Sequence, residues 1–288
     1  MTSPTISLES RIRQVYEQLS AAERRLADVV LTRQQALLGY SATELAAMAG
    51  TSKSSAARFF RRVGYAGFDE FRQQVRAHQA QTSPLARMAQ VRRRDTPGAQ
   101  LQAHARNDAQ RLQAWAEGVS DEALDSAITL LARSRKVWVL GYRHSHVTAL
   151  YAQALLSQVR AEVFLLNEAA GREAELLAGL GEKDVLLAVD FRRRSTRLPP
   201  MVEAARTAGA RVLLLSDAPV SALAAQAQAV LRCAPAAEEG LFDSYVCAIS
   251  LVNYLATAVA EQTKSQANER LARIERLHAV LGDLESLA

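Results

Sequence analysis

Five short apolar runs recur from Lys136 onward: "KVWVL", "EVFLLN", "DVLLAVD", "RVLLLSD" and "AVLRCA". The first four are each followed by a stretch of helical periodicity, and the fifth by a long helical C-terminus. Strands that read as unbroken apolar runs are buried on both faces, which is the condition of a parallel sheet covered by its own crossover helices. The alternation therefore predicts an α/β doubly wound, mainly parallel sheet. No internal repeat is visible. The final segment, "ANERLARIERLHAVLGDLESLA", places Ile274, Leu277, Leu281 and Leu284 at alternating three and four spacing, which suits either a pairing seam between two copies or a helix packed on its own sheet.

The first 80 residues have a different texture, helical throughout. Leu8, Ile12, Val15 and Leu19 share a face of a first helix. Ser20 with Glu23, and Ser41 with Glu44, have the spacing of capping boxes, the first ahead of a helix that turns Leu26, Val29 and Val30 inward. Gly50 ends the short helix "TELAAMA". Ser52 then caps a helix burying Ala56, Phe59, Phe60 and Val63, which stops at Gly64; Phe68, Phe71 and Val75 mark the next. Residues 79–104 have weak apolar periodicity, two prolines and a basic run, so the chain reads as a helical domain (1–80), a linker (81–104) and an α/β domain (105–288).

The 288 residues, 49% hydrophobic and 23% charged, suffice for two domains with cores. No run reaches the roughly eighteen apolar residues of a membrane span. The N-terminus lacks the apolar centre of a signal peptide, so a cytoplasmic protein is expected. Cys233 and Cys247 show no ligand spacing, which argues against a disulfide framework and a zinc site; no metal or cofactor is expected. Residues 1–78 carry eleven Lys or Arg against seven Asp or Glu, four of the net charge of +5.

Two helices joined at "AGTS", the second with a basic and small-residue outer face, fit a helix-turn-helix whose second helix enters the DNA major groove. Lys53, Ser54 and Ser55 would lie nearest the base edges, Arg58 would reach them from the next turn, and Arg61 and Arg62 would touch phosphate. The bland alternative is a helical hairpin with a solvated cationic face. The stretch "TELAAMAGTSKSSAARFFRRVGYAGFDEFRQQV" resembles the N-terminal domain of RpiR-type bacterial transcription regulators in its Ala-Gly turn, its Arg-Phe pair and "GYAGFDEF". The resemblance implies a double-stranded DNA partner and a homodimer or higher homo-oligomer.

In an open parallel sheet, ligands bind beyond the carboxyl ends of the strands. The loops "GYRHSHVTALYAQ" and "VDFRRRST" follow two of the strands, and helix N-termini with Arg143, Arg192, Arg193 and Arg194 suit a phosphate or carboxylate. The rival is structural, with Asp190, Glu238 or Glu239 neutralising these arginines. This half also resembles the SIS domain, the sugar isomerase fold with which RpiR-type regulators sense phosphosugars. That family's first loop, G-x-G-x-S with Ala four residues on, is met by Gly141, Ser145 and Ala149, but Arg143 replaces its second Gly. Its second loop, S-x-S-G-x-T-x-E, falls on Asp190, Arg192, Arg193, Ser195 and Arg197, so of the family's hydroxyl contacts only Ser145 and Ser195 carry over. The expected effector contacts are Arg143, His144, Ser145, Asp190, Arg192, Arg193 and Ser195, holding a phosphosugar or another small anion such as a sugar acid.

An isomerase of this fold is the alternative. It needs a positioned base, for which His144, His146, Glu238 and Glu239 are the candidates. No nucleophile, metal set or nucleotide signature accompanies them, so the reading is a regulator, not an enzyme.

Overall fold

The computed structural model describes residues 8–32, 41–73, 84–88, 96–167, 171–218, 223–233 and 241–283. The chain forms two compact units, one of Met1–Thr96 with Ala218–Ala225 and Ala237–Asp243, the other of Pro97–Asp217, Gln226–Ala236 and Ser244–Ala288.

In the first unit, α1 (Leu8–Val15), α2 (Ala21–Thr32), α3 (Ala42–Met48), α4 (Lys53–Arg62) and α5 (beginning at 68) precede the short α6 (Pro84–Met88). Both capping boxes form: Ser20 N–H donates to Glu23 Oε2 at 2.9 Å, and Ser41 and Glu44 satisfy each other's backbone N–H groups. Ile12, Leu26, Leu45, Phe59, Phe60 and Phe71 are fully buried, as a helix with a heavily apolar stripe requires. Phe60 is the aromatic centre, its ring 5.2 Å from Phe59, 5.3 Å from Phe68 and 4.9 Å from Phe71. Arg87 of α6 is buried against Asp243 at 2.8 Å. Val75 and most of the connecting segment lie outside the described residues.

The second unit starts inside the stretch expected to be linker. Pro97 opens the helix α7 (Pro97–Ala116), because proline at a first helical position removes only an N–H that has no partner there anyway. The helix buries no residue fully, which explains its weak apolar period. It is followed by α8 (Asp121–Arg133), β1 (Val137–Gly141), α9 (Ser145–Val159), β2 (Val163–Leu165), α10 (Glu173–Leu177), β3 (Val185–Asp190), α11 (Leu198–Thr207), β4 (Arg211–Ser216), β5 (Ala229–Arg232), α12 (Val246–Gln262) and α13 (Lys264–Leu281).

The five strands make one sheet in the order β2-β1-β3-β4-β5, every pair parallel. Val137, Val139, Leu187, Val189, Leu213 and Leu215 point to the face covered by α8, α9 and α12. Leu140, Leu186, Ala188 and Leu214, at the alternate positions, are fully buried on the other. This order reverses direction between β1 and β3, so the loops after those two strands flank the crevice where a doubly wound sheet binds ligands.

The C-terminal helix is broken at Thr263. α13 buries Ala267, while Leu271, Leu277, Val280 and Leu281 are exposed. Leu284 lies outside the described residues.

Candidate functional site

The outer face of α4 is built by the local sequence. The Ser52 side chain accepts the Ser55 N–H at 3.1 Å, which starts the helix and leaves Lys53 and Ser54 exposed at its first turn, with Ser55 half-buried. Gly50, at φ +57, makes the turn from α3, a left-handed conformation that suits glycine. Arg58 and Arg61 project from the exposed side. Arg62 is exposed too, yet its guanidinium donates to the Gln18 carbonyl at 2.8 Å and to Glu23 Oε2 at 3.2 Å. Burial opposes the charge of Glu23, but hydrogen bonds from Ser20 and the nearby Arg62 outweigh it and hold its carboxyl below the usual range. Arg62 therefore also braces the domain. Lys53 and Arg61 make no ion pair among the described residues.

At the sheet's C-terminal edge, Gly141 pairs with Val189 in register, which brings the two candidate loops side by side. A Cβ on Gly141 would fall on the Ser145 carbonyl and come within 3.1 Å of the Ala149 Cβ, so the tight turn needs glycine there and a small residue at 149. Ser145 is 4% exposed, and its hydroxyl accepts the Phe191 N–H at 3.1 Å. Arg143 stands at φ +58 and is exposed. A left-handed backbone at a residue other than glycine costs about 1–2 kcal/mol, and here it carries a guanidinium.

The loop after β3 divides its arginines. Arg194 donates through Nε to Asp190 at 3.1 Å and through Nη2 to Asp217, the first residue beyond β4. The Arg192 N–H faces both Asp217 oxygens at 3.2 and 3.1 Å. Burial pushes the Asp190 carboxyl up to about 6 against the pull of Arg194, and raises Asp217 for the same reason. Arg197 pairs with Glu173 of α10 at 2.6 Å and lies 5.0 Å over the Tyr142 ring. Arg193 is exposed, and neither it nor Arg143 makes an ion pair among the described residues. Tyr245 Oη reaches the Arg192 carbonyl at 3.4 Å.

The two loops therefore come together, with Ser145 buried at their junction, Asp190 buried in an ion cluster, and Arg143, His144 and Arg193 on the exposed side. Ser195 is half-buried, its hydroxyl accepting the Arg197 N–H at 3.2 Å. His146 contacts Asn167 at 3.4 Å, and Asn167 in turn donates to the Gly141 carbonyl at 2.8 Å. Asp190 does neutralise an arginine; Glu238 and Glu239 lie outside the described residues. Sequence reasoning missed Asp217, Glu173, Tyr142 and Asn167. The available signal for Asp217 was that "DVLLAVD" and "RVLLLSD" both end in aspartate and are neighbouring parallel strands, with Asp190 opposite Ser216.

Residues 6–82 match the helix-turn-helix domain of the rpiR family and residues 130–258 match the SIS domain. The chain is 26% identical over 210 residues to "Bifunctional protein glk" of Burkholderia thailandensis, a match that covers 72% of this chain but only 32% of that longer protein. It is 27% identical over 218 residues to the HTH-type transcriptional regulator HexR of Pseudomonas aeruginosa, covering 74% of each. Among solved structures, the Vibrio vulnificus NanR protein complexed with ManNAc-6P superposes with a TM-score of 0.58 at 19% identity, over 96% of this chain and 99% of that one.

Proposed function

From its membership of the RpiR-type regulators, with an rpiR-family helix-turn-helix domain ahead of a SIS domain, we propose that this chain is a sequence-specific DNA-binding transcriptional regulator. Its SIS domain senses a small anionic metabolite, a phosphosugar or sugar acid, and the bound effector alters DNA binding. NanR, of the same fold, is complexed with ManNAc-6P, which supports a phosphorylated sugar as the first class to try. The observation that carries the sensor reading is Arg143. A charged side chain is held in a left-handed conformation at the edge of the β1/β3 crevice, where glycine would be strain-free, and such strained residues cluster at functional sites.

In this reading Lys53, Ser54, Ser55 and Arg58 address the base edges, Arg61 and Arg62 the phosphates, and Arg143 with Arg193 the effector anion. His144, Ser145 and Ser195 line the same edge. The exposed apolar side chains at the end of α13 favour a homodimer, whose two α4 helices would read paired half-sites. The stretch expected to be linker, shortened to residues 81–96 by the start of α7, serves as the connection through which the effector acts. The cytoplasm is the compartment this requires, and no helix among the described residues is long and apolar enough to cross a membrane.

A catalytic role is not assigned. Catalysis requires a base held against the substrate, and His144 is an exposed loop residue while His146 turns toward Asn167. Full-length protein incubated with phosphosugars is expected to give no turnover above a heat-killed control.

The test is fluorescence anisotropy of the full chain on a duplex selected from a random pool, repeated with phosphosugars and with sugar acids. One effector class should shift the affinity by about 5–150-fold. A protein that selects no sequence sinks the DNA reading, and one that selects DNA but responds to no anion sinks the sensor reading.

A further inference from the structure

We propose that Asp217 is a specificity-determining residue of the effector site. Its carboxylate is a resident anion seated on the Arg192 N–H and the Arg194 guanidinium, and an effector's anionic group reaches those donors only by displacing it. The inference rests on the sheet edge between the β1 and β3 loops being the effector site, as argued above.

A backbone N–H and a guanidinium converging at the end of a parallel strand make an anion cradle. Here both Asp217 oxygens lie at 3.1–3.2 Å from the Arg192 nitrogen, Arg194 donates to one of them, and the side chain is 9% exposed. The cradle is thus filled by the protein itself. One guanidinium serves two buried carboxylates, Asp190 at 3.1 Å and Asp217.

The two acids differ in how they are anchored. Asp190 is the last residue of β3, opposite Ser216 in the sheet, and its carbonyl accepts the Ser216 hydroxyl at 3.0 Å. Asp217 lies one residue past the end of β4. Its backbone is outside the strand ladder, so it is the carboxylate that can swing away.

Displacement sets a charge threshold. A monocarboxylate would replace Asp217 on the same donors with like for like and gain little. A phosphate monoester brings close to two charges and three acceptor oxygens, enough to compete with a tethered carboxylate. Asp217 therefore favours doubly charged oxyanions over singly charged ones, despite the loss of the family's serines from this loop.

The experiment is isothermal titration of the full-length wild type, Asp217→Asn and Asp217→Ser with inorganic phosphate and with acetate at neutral pH, thermal melts establishing that each variant is folded. Removing the resident charge should tighten phosphate by about tenfold or more and let acetate bind. Unchanged or weaker phosphate binding by folded variants overturns the proposal, as does phosphate binding to none of the three proteins. If neither variant folds, wild-type protein labelled with 15N-arginine decides: phosphate should move the Arg192 amide and Arg194 Nε resonances, and resonances that stay fixed at saturation overturn it. The sensor reading fails separately. An effector that binds wild type with these resonances unmoved removes only the role of Asp217, whereas no response to any phosphosugar or sugar acid removes the sensor reading itself.

Discussion

The Ser145 hydroxyl accepts the backbone N–H of Phe191 at 3.1 Å, tying the first turn of α9 to the loop after β3. Both residues are buried, at 4% and 6% exposure, so no water replaces the bond if it is cut. Ser145→Ala leaves the Phe191 N–H without its acceptor, which costs about 1–3 kcal/mol. For a unit of this size each kcal/mol lowers the melting midpoint by about 2–4 °C. Calorimetry on the full chain should show that loss in the transition of the second unit. An unchanged midpoint would mean that Ser145 serves the effector alone.

Gly141 and Arg143 make opposite predictions within one turn. Gly141→Ala drives a methyl into the Ser145 carbonyl, main-chain atoms that cannot move aside, and should cost about 3 kcal/mol or more. Arg143→Gly relieves the strain at φ +58 but frees the unfolded chain, and the two effects of about 1 kcal/mol nearly cancel. The Arg143→Gly melt should therefore stay close to wild type. Its affinity for the effector should fall by about 1.5–3 kcal/mol if the guanidinium holds the anion. A variant with both stability and affinity intact would return Arg143 to the solvent.

Asp190 makes stability depend on pH in an unusual direction. Its carboxyl is pushed up to about 6 by burial, with Arg194 pulling the other way and Asp217 adding to the rise. Between the ordinary carboxylate range and about 6 the folded protein therefore holds a proton that the unfolded chain has lost. The resulting stabilisation is full at the acid end of that window and disappears as pH rises through it. The wild-type midpoint minus that of Asp190→Asn should fall by the equivalent of about 2–3 kcal/mol from pH 4 to pH 7. A difference that is flat, or that rises, would show that Arg194 keeps Asp190 ionised throughout.

Much of this architecture could be read from apolar pattern and capping residues, because those signals are local. "KVWVL" and "DVLLAVD" announce buried strands whatever their order, and Ser41 with Glu44 announces a helix start. Strand order is not local: that β1 lies between β2 and β3, which places the crevice, follows from pairing across tens of residues. The same limit hid the fate of the arginines. "RRR" states three charges and Asp190, four residues from Arg194, is a local partner the sequence offers, but that Asp217 joins it on Arg194, and that Glu173 pairs with Arg197, depends on residues brought in from just beyond β4 and from α10. Pro97 misled for another reason: proline reads as a breaker in a linear pattern and is harmless at the first position of a helix.

Four cations on or next to the outer face of α4 should separate into different roles when each is changed to alanine. Arg58, in the second turn, has its Nη2 3.5 Å from Ser55 Oγ, which places it beside the first turn. Arg58→Ala should cost about 1–3 kcal/mol on the selected site and relax discrimination at one base pair. Lys53→Ala, at the first turn, should likewise relax discrimination at the base pair it faces, whereas Arg61→Ala should weaken all sequences alike and lower the slope of log K against log salt by about 1. Arg62→Ala is different because its guanidinium holds the Gln18 carbonyl and the largely buried Glu23. It should lower the stability of the first unit by about 1 kcal/mol, since Arg62 itself is half exposed and screened, and change the salt slope less than Arg61→Ala does. Melts and salt titrations on the four variants decide the matter. If Arg62→Ala leaves the melt untouched and takes a full unit from the salt slope, the brace is incidental and Arg62 belongs with the phosphate contacts.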